Sequence, residues 1–363
     1  MKWEIAKLGK IAIIRTGKLD SNAAVIGGRY PFFTCDPNTL SIDVWAYDTE
    51  AVLLAGNNAS GNYTAKYYKG KFNAYQRTYI IESANEEELN IRYLCYALNQ
   101  QLRLLKTMSS GSTTKFLTVR MLDNLDIPLF GINIQTQIVN ILSAYDDLIE
   151  NNQKQIKLLE EAAQRLYKEW FVDLRFPGHE NTKIVDGVPE GWHRGTVGQI
   201  AEFKRGRTIT KAQVKGGNVP VVAGGLEPAY YHNVANTKAP VITISASGAN
   251  AGFVRLYGVD VFASDCSFVD GLGTESLFFV YEFLKESKVS IDQLQKGSAQ
   301  PHVYAKDINA MKITIPEKEY LERFDRYAKV YFNKIKTLQG QNERLKIARD
   351  LLLPKLMNGK VEV

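Results

Sequence analysis

The sequence predicts an α+β protein: two tandem α+β modules, with two long helices that pair as an antiparallel coiled coil. Three observations predict it. The chain repeats itself at a long and nearly constant offset; each repeat carries β-branched and aromatic runs between Gly and Asn turns; each repeat ends in a stretch where apolar residues recur at alternating spacings of four and three.

Self-similarity at a long period decides architecture before any local assignment. Trp3, Gly9, Ile11, Ala12 and Gly17 match Trp192, Gly198, Ile200, Ala201 and Gly206 at an offset of 189. Pro31 matches Pro220 at the same offset, with Phe32 and Phe33 opposite Val221 and Val222. Further on, Ala59-Ser60-Gly61-Asn62 aligns with Ala246-Ser247-Gly248-Ala249, and Phe72 and Ala74 with Val261 and Ala263. Gly111-Ser112-Thr113-Thr114 then aligns with Gly297-Ser298-Ala299-Gln300 at offset 186, which holds to the ends of both copies.

Within each module, Tyr79-Ile80-Ile81, Val241-Ile242-Thr243-Ile244 and Ile313-Thr314-Ile315 read as strands. Ile91 to Lys106, with Leu94, Leu98, Leu102 and Leu105 on one face, reads as a helix, and Leu277 to Leu284 is its counterpart. A module of roughly 130 residues is long enough to bury one core.

After Pro128, apolar residues recur at Ile138, Leu142, Tyr145, Ile149, Ile156, Leu159, Ala163, Leu166 and Trp170, broken only by Asn152. The second copy places Phe324, Ala328, Tyr331, Ile335, Leu338, Asn342, Leu345, Arg349, Leu352 and Leu356 at the same spacing. Such a seam needs a partner, and the simplest partner is the other copy. Ile138, Leu142, Tyr145, Ile149, Leu159, Leu166, Tyr331, Ile335, Leu338, Leu345 and Leu352 are the residues expected to carry the pairing. The competing reading is an amphipathic helix resting on its own module. Asn152 and Asn342 either fix register, as seam asparagines do, or are solvated breaks.

Composition bounds function only loosely. The 363 residues are 45% hydrophobic with 11% aromatic, as packed cores require, and the net charge of +6 favours a polyanionic partner. Cys35, Cys95 and Cys266 show no CxxC spacing and read as buried small apolar residues in a reducing, cytoplasmic setting. The N-terminus alternates charged and apolar residues, unlike a signal peptide. The longest uncharged run, Ala239 to Val254, is too rich in Thr, Ser, Gly and Asn for a membrane helix.

Several segments resemble a known family. Gly297-Ser298-Ala299-Gln300-Pro301-His302-Val303 with Ile308-Asn309-Ala310-Met311-Lys312-Ile313, and the counterpart from Gly111 to Ile127, are similar to the segment closing a target-recognition domain in the specificity (S) subunits of Type I restriction-modification enzymes. Trp170-Phe171-Val172-Asp173, Phe176-Pro177-Gly178 and Pro189-Glu190-Gly191-Trp192 resemble that family's junction, and Leu352-Leu353-Pro354-Lys355-Leu356-Met357-Asn358-Gly359 its C-terminus. The first copy departs from the pattern, with Thr113-Thr114-Lys115 where a Gln-Pro pair is usual.

The resemblance implies target-recognition domains at 1–132 and, with a leading linker, 176–316, and spacer helices at 133–175 and 317–363. It implies a non-catalytic subunit that recognises a bipartite double-stranded DNA target and assembles with two methyltransferase (M) subunits and with motor-nuclease (R) subunits. Those partners, not this chain, would use S-adenosylmethionine, ATP and Mg. The alternative from another class is a coiled-coil adaptor with two protein-binding modules.

The residues themselves offer no chemistry. Asp36-Pro37-Asn38 fails the Asn/Asp-Pro-Pro-aromatic pattern that holds a flipped adenine. Gly111-Ser112-Thr113-Thr114-Lys115 lacks the second glycine of a phosphate-binding loop. His179, His193, His232 and His302 have no metal-ligand spacing.

Reading DNA requires Lys and Arg for phosphates and Arg, Gln or Asn for base edges. In the first module the candidates are Asn57, Asn58, Lys66, Lys69, Lys71, Gln76 and Arg77. In the second they are Lys204, Arg205, Arg207, Lys211, Asn250, Arg255 and Gln300. For each, a solvated loop residue is the bland alternative. Ser112 and Ser298 read as phosphate contacts or structural turns. A helix of about 50 Å would then act as a ruler between two half-sites.

Overall fold

The computed structural model describes residues 3–111, 114–297 and 300–363, so Ser112 and Ser298 lie outside the described residues. The chain is mixed α and β, as expected. Its residues group into two compact units, Met1–Glu150 with Asn342–Val363, and Asn151–Gln341. The four segments expected from sequence follow the chain; compactness instead divides each long helix between the units.

The first unit is built on a six-stranded sheet in the order Ala12–Thr16, Thr78–Ser83, Tyr47–Ala55, Ala65–Ala74, Tyr30–Phe33, Leu40–Ile42. All its pairings are antiparallel except Tyr30–Phe33 with Ala65–Ala74, where Phe33 lies opposite Ala74. Trp3–Lys7 pairs separately with Asp126–Phe130.

The second unit repeats this order in two pieces. Lys204–Arg205, Cys266–Asp270, Val241–Ser245 and Val254–Tyr257 form one sheet; Tyr230–His232, Val219–Val222 and Phe262–Ala263 form the other. Val222 lies opposite Ala263 in a parallel pairing, matching Phe33 and Ala74 at the 189 offset. The continuous strand Ala65–Ala74 corresponds to two short strands here. Gly70 takes φ +127° in the first copy near the place where the second breaks.

The repeated glycines have a shared physical cause. A Cβ on Gly17 would sit 2.2 Å from the Ala74 carbonyl oxygen, and one on Gly206 would sit 2.4 Å from that of Ser264. Both backbones cross a neighbouring strand too closely for any side chain, and both donate across it, Gly17 N to Thr78 O at 3.1 Å and Gly206 N to Cys266 O at 2.8 Å.

The principal helices are α1 (Ile91–Met108), α2 (Ile132–Tyr167), α3 (Leu277–Glu286) and α4 (Lys318–Met357). The Asn90 side chain caps α1 by accepting from Tyr93 N at 3.0 Å. A π-helical turn, Lys168–Val172, extends α2 through Trp170. No helix among the described residues is long and apolar enough to cross a membrane.

The seam is buried as its spacing predicts. Ile138, Leu142, Ile149, Ala163, Phe324, Ala328, Ile335, Leu338 and Leu356 are all buried, while Tyr145, Leu159, Leu166, Tyr331, Leu345 and Leu352 are half-buried. Within the first unit α2 and α4 run antiparallel: Asn342 Nδ2 donates to Ile149 O at 3.5 Å, and Arg349 reaches back to Asp146 at 2.6 Å. Within the second, Trp170 at the end of α2 meets Phe324 and Tyr327 at the start of α4, with ring centroids 6.2 and 6.0 Å apart.

Asn152 and Asn342 are 3% and 5% exposed, which rules out solvated breaks. The two competing readings of the helices also turn out to be compatible. Ile138, Val139 and Leu142 of α2 join the core of the first module with Tyr93, Leu94 and Phe130, and the same cluster takes in Leu356 and Met357 from α4. One face of about a third of the helix circumference is wide enough to meet both.

The aromatic residues of the junction segments belong to the core of the second unit. Phe176 is fully buried, its ring 4.7 Å from Trp192 and 5.0 Å from Tyr320, and Phe171 lies 4.8 Å from Phe279. Cys95 and Cys266 are buried as expected, and burial pushes both thiols up to about 12. Cys35 departs from that expectation: it is half-buried, its Sγ donating to the Arg77 carbonyl, because its loop packs against the turn at 75–77.

Two buried carboxyls stand out in the second unit. Asp325 of α4 accepts from Phe278 N and Phe279 N at 3.2 and 2.9 Å, capping α3, and burial lifts it to about 7 against the opposing effect of those two amides. Glu282 of α3 is 2% exposed, and burial raises it to about 8.

Candidate nucleic-acid interface

In the first unit three loops converge through backbone hydrogen bonds. Gly56 N donates to Arg77 O at 2.8 Å, Leu117 N donates to Gly56 O at 2.8 Å, and Asn57 and Asn58 lie opposite Phe116 and Lys115 in a short ladder. Lys66 Nζ reaches over to Asp36 O and Thr39 Oγ1 at 3.3 and 3.2 Å, and burial lowers its pKa. The structure thus brings Asn57, Lys66, Gln76 and Arg77 onto one surface and adds Lys106 and Lys115, whose side chains flank Gly61. Lys106 Nζ donates to Asn62 Oδ1 at 2.7 Å.

Not every expected residue joins it. Asn58 Oδ1 is occupied by Ser60 N at 2.9 Å and Asn62 N at 3.2 Å, so it shapes the loop. Lys69 and Lys71 fall on the opposite alternation of their strand from Lys66. Lys69 pairs with Glu50 at 2.8 Å, a hydrogen bond that raises its pKa, and Lys71 Nζ sits 4.7 Å over the Trp45 ring.

The second unit presents the corresponding surface. Ala246 N donates to Asp265 O at 3.3 Å, Val303 N to Ala246 O at 3.0 Å, and Gly248 N to Pro301 O at 3.0 Å. Arg207 N donates to Ala263 O at 2.9 Å, which fixes its loop beside them and leaves its side chain exposed. Gln300 is exposed next to Pro301. Asn250 Nδ2 approaches Gly224 O at 3.5 Å, and Lys204, Arg205 and Lys211 are exposed.

Arg255 is placed differently from a free reader of bases. Its guanidinium is held by the Leu226 carbonyl and stacks 5.0 Å over the Tyr257 ring, which makes it a latch within the module. Asp265 and His302 are surface members that sequence reasoning passed over. Only a search for acceptors as well as cations would have found Asp265.

The backbone bonds also correct the loop alignment. Residue similarity set Ala59-Ser60-Gly61-Asn62 opposite Ala246-Ser247-Gly248-Ala249, but hydrogen bonding puts Gly56-Asn57-Asn58 there, three residues earlier. The turns at Gly111 and Gly297 do match. Ser110 and Phe116 exchange bonds across one, Lys296 and His302 across the other, and the two glycines adopt φ +103° and +95°. Among the described residues no group of three or more His, Cys, Asp or Glu is placed to hold a metal.

A duplicated frame carrying two differently decorated polar surfaces defines a class of protein, and comparison with known proteins agrees. The family model for the Type I restriction modification DNA specificity domain matches residues 1–161 and again 189–346, so the chain belongs to that family and carries its domain twice. The specificity subunit of the Type I restriction enzyme EcoDI from Escherichia coli is 31% identical over 224 residues, 55% of this chain and 49% of that protein. The MjaIX specificity subunit of Methanocaldococcus jannaschii is 27% identical over 296 residues, 75% of this chain and 68% of its own length. The chain thus spans about half the length of the first relative and two thirds of the second. In fold it resembles the solved S subunit of a Type-I restriction-modification system from M. genitalium, with a TM-score of 0.65 at 19% identity over 98% of this chain and 96% of that one.

Proposed function

We propose that this chain is the non-catalytic DNA-specificity subunit of a Type I restriction-modification enzyme. Each unit reads one half of a bipartite target, and the paired helices set the spacer between the halves. The chain scaffolds methyltransferase and motor-nuclease subunits, which use S-adenosylmethionine, ATP and Mg. The observation that carries this is the frame shared by the two units: the same backbone bonds hold both loop surfaces, while the side chains on them differ. That is what two unrelated half-sites require.

Affinity supplied by phosphate contacts falls steeply with salt, by a slope of about 0.9 per neutralised phosphate in logarithmic units. The full chain with its methyltransferase subunits is expected to show such a slope on duplex DNA. Salt-independent capture of a protein and no duplex binding would instead favour an adaptor.

Because the seam is paired, a ruler test must lengthen both helices. Matched four-residue insertions after Asn152 and after Leu338 add one turn to each, about 5.4 Å. Methylation mapping is expected to return both half-sites unchanged with a spacer one or two base pairs longer. An unaltered spacer would refute the ruler.

A further inference from the structure

The two loop surfaces share one pattern of backbone hydrogen bonds around one position, and there the side chains have opposite chemistry. Arg77 O accepts from Gly56 N in the first unit, and Asp265 O accepts from Ala246 N in the second. The next residues, Thr78 and Cys266, accept from Gly17 and Gly206, and the partners Gly56 and Ala246 accept in turn from Leu117 and Val303. Arg77 and Asp265 are therefore equivalent. Neighbouring positions match as well, Asn57 with Ser247 and Phe116 with His302, each pair defined by its place opposite the Gly111 or Gly297 turn.

We propose that Arg77 and Asp265 occupy the same readout position of the two units and select opposite base edges. Arg77 takes an acceptor edge, guanine O6 and N7; Asp265 takes an exocyclic amino group, cytosine N4 or adenine N6. This rests on the DNA-reading function proposed above.

Arg77 is exposed, and among the described residues its guanidinium makes no hydrogen bond or ion pair, so its five donors are available. A guanidinium fork matches the two guanine acceptors. The Asp265 carboxylate is half-buried and accepts from Ser247 Oγ through Oδ2, which orients it and leaves Oδ1 for a donor. Cytosine N4 is the usual partner of a carboxylate. A phosphate contact explains Arg77 alone but not the pair, because a carboxylate at the equivalent position would be repelled by the DNA backbone.

The test is selection of a randomised duplex library by the full chain assembled with its methyltransferase subunits, comparing wild type with Arg77→Gln and Asp265→Asn. Arg77→Gln is expected to lose preference for guanine at one position of the first half-site by about 5- to 150-fold, leaving the second half unchanged. Asp265→Asn is expected to relax one cytosine or adenine of the second half-site while the first stays as it was. Unchanged preferences at every position would overturn the assignment. So would a uniform loss of affinity with the salt slope reduced by about one, the signature of a phosphate contact.

If Arg77→Gln erased the whole first half-site, Arg77→Lys would decide. Guanine retained with weaker preference supports the assignment, and a half-site still erased overturns it. Wild-type binding without preference in either half would overturn the DNA-reading function itself.

Discussion

Phe324→Ala is expected to cost about 3–5 kcal/mol and to lower the melting temperature of the full chain by roughly 4–7 °C. Phe324 is fully buried, and its ring lies 5.2 Å from Phe171, 6.1 Å from Tyr167 and 6.2 Å from Trp170. It thus joins the end of α2, the π turn and α4. Truncation removes the transfer free energy of a large side chain, leaves a cavity among rings too rigid to collapse into it, and forfeits several edge contacts of about 0.5–1.5 kcal/mol each. Leu158→Ala on the same helix pair is the control. Leu158 is 63% exposed, off the seam, and its loss should stay within about 0.5 kcal/mol. Comparable effects of the two substitutions in chemical denaturation would show that the seam is not the stabilising face.

Glu282→Gln should stabilise the chain by about 4 kcal/mol at pH 8 and by under about 1 kcal/mol at pH 5. The native state raises this carboxyl from 4.5 to about 8 by burial, helped by the nearby Glu160 and Glu286 and opposed by Lys285. The folded state therefore holds the proton more tightly than the unfolded chain does. That contribution is fully present below pH 4.5 and is lost as the pH rises through about 8. The amide keeps the shape and cannot ionise, so the gain should grow with pH across this window. Denaturant midpoints of the two proteins that stay parallel from pH 5 to pH 8 would contradict it.

The repeat and the seam were legible because both are periodic. Gly17 and Gly206 recur because each copy must pass a strand at contact distance, and a requirement that strict leaves its mark at a fixed offset. The heptad seam was legible for a similar reason: Ile138 and Phe324 hold the same place in the two copies and are both fully buried. The division of α2 and α4 between two units was not legible, since a helix that packs on its own module and on a partner helix has one apolar pattern for both.

The loops were harder. Lys66, Lys69 and Lys71 look alike in sequence, yet one leans over the surface, one pairs with Glu50, and one lies on Trp45. Arg255 has the sequence character of a free base reader and is latched, while Asp265 carries no positive charge that would mark it in sequence as part of a DNA surface. Matching residue types misaligned the polar loops by three positions, because in a loop the backbone partner, not the side chain, fixes equivalence.

The sequence by itself determined the duplication, the α+β class, the paired helices and the positions of the close-packed glycines. These rest on apolar periodicity and steric need, which are written locally and twice. Only the tertiary structure decided which loops meet, which charges are already partnered, and that Arg77 and Asp265 stand at one place in two frames. Those facts depend on hydrogen bonds between segments far apart in the chain, and neither composition nor spacing encodes which segments will meet.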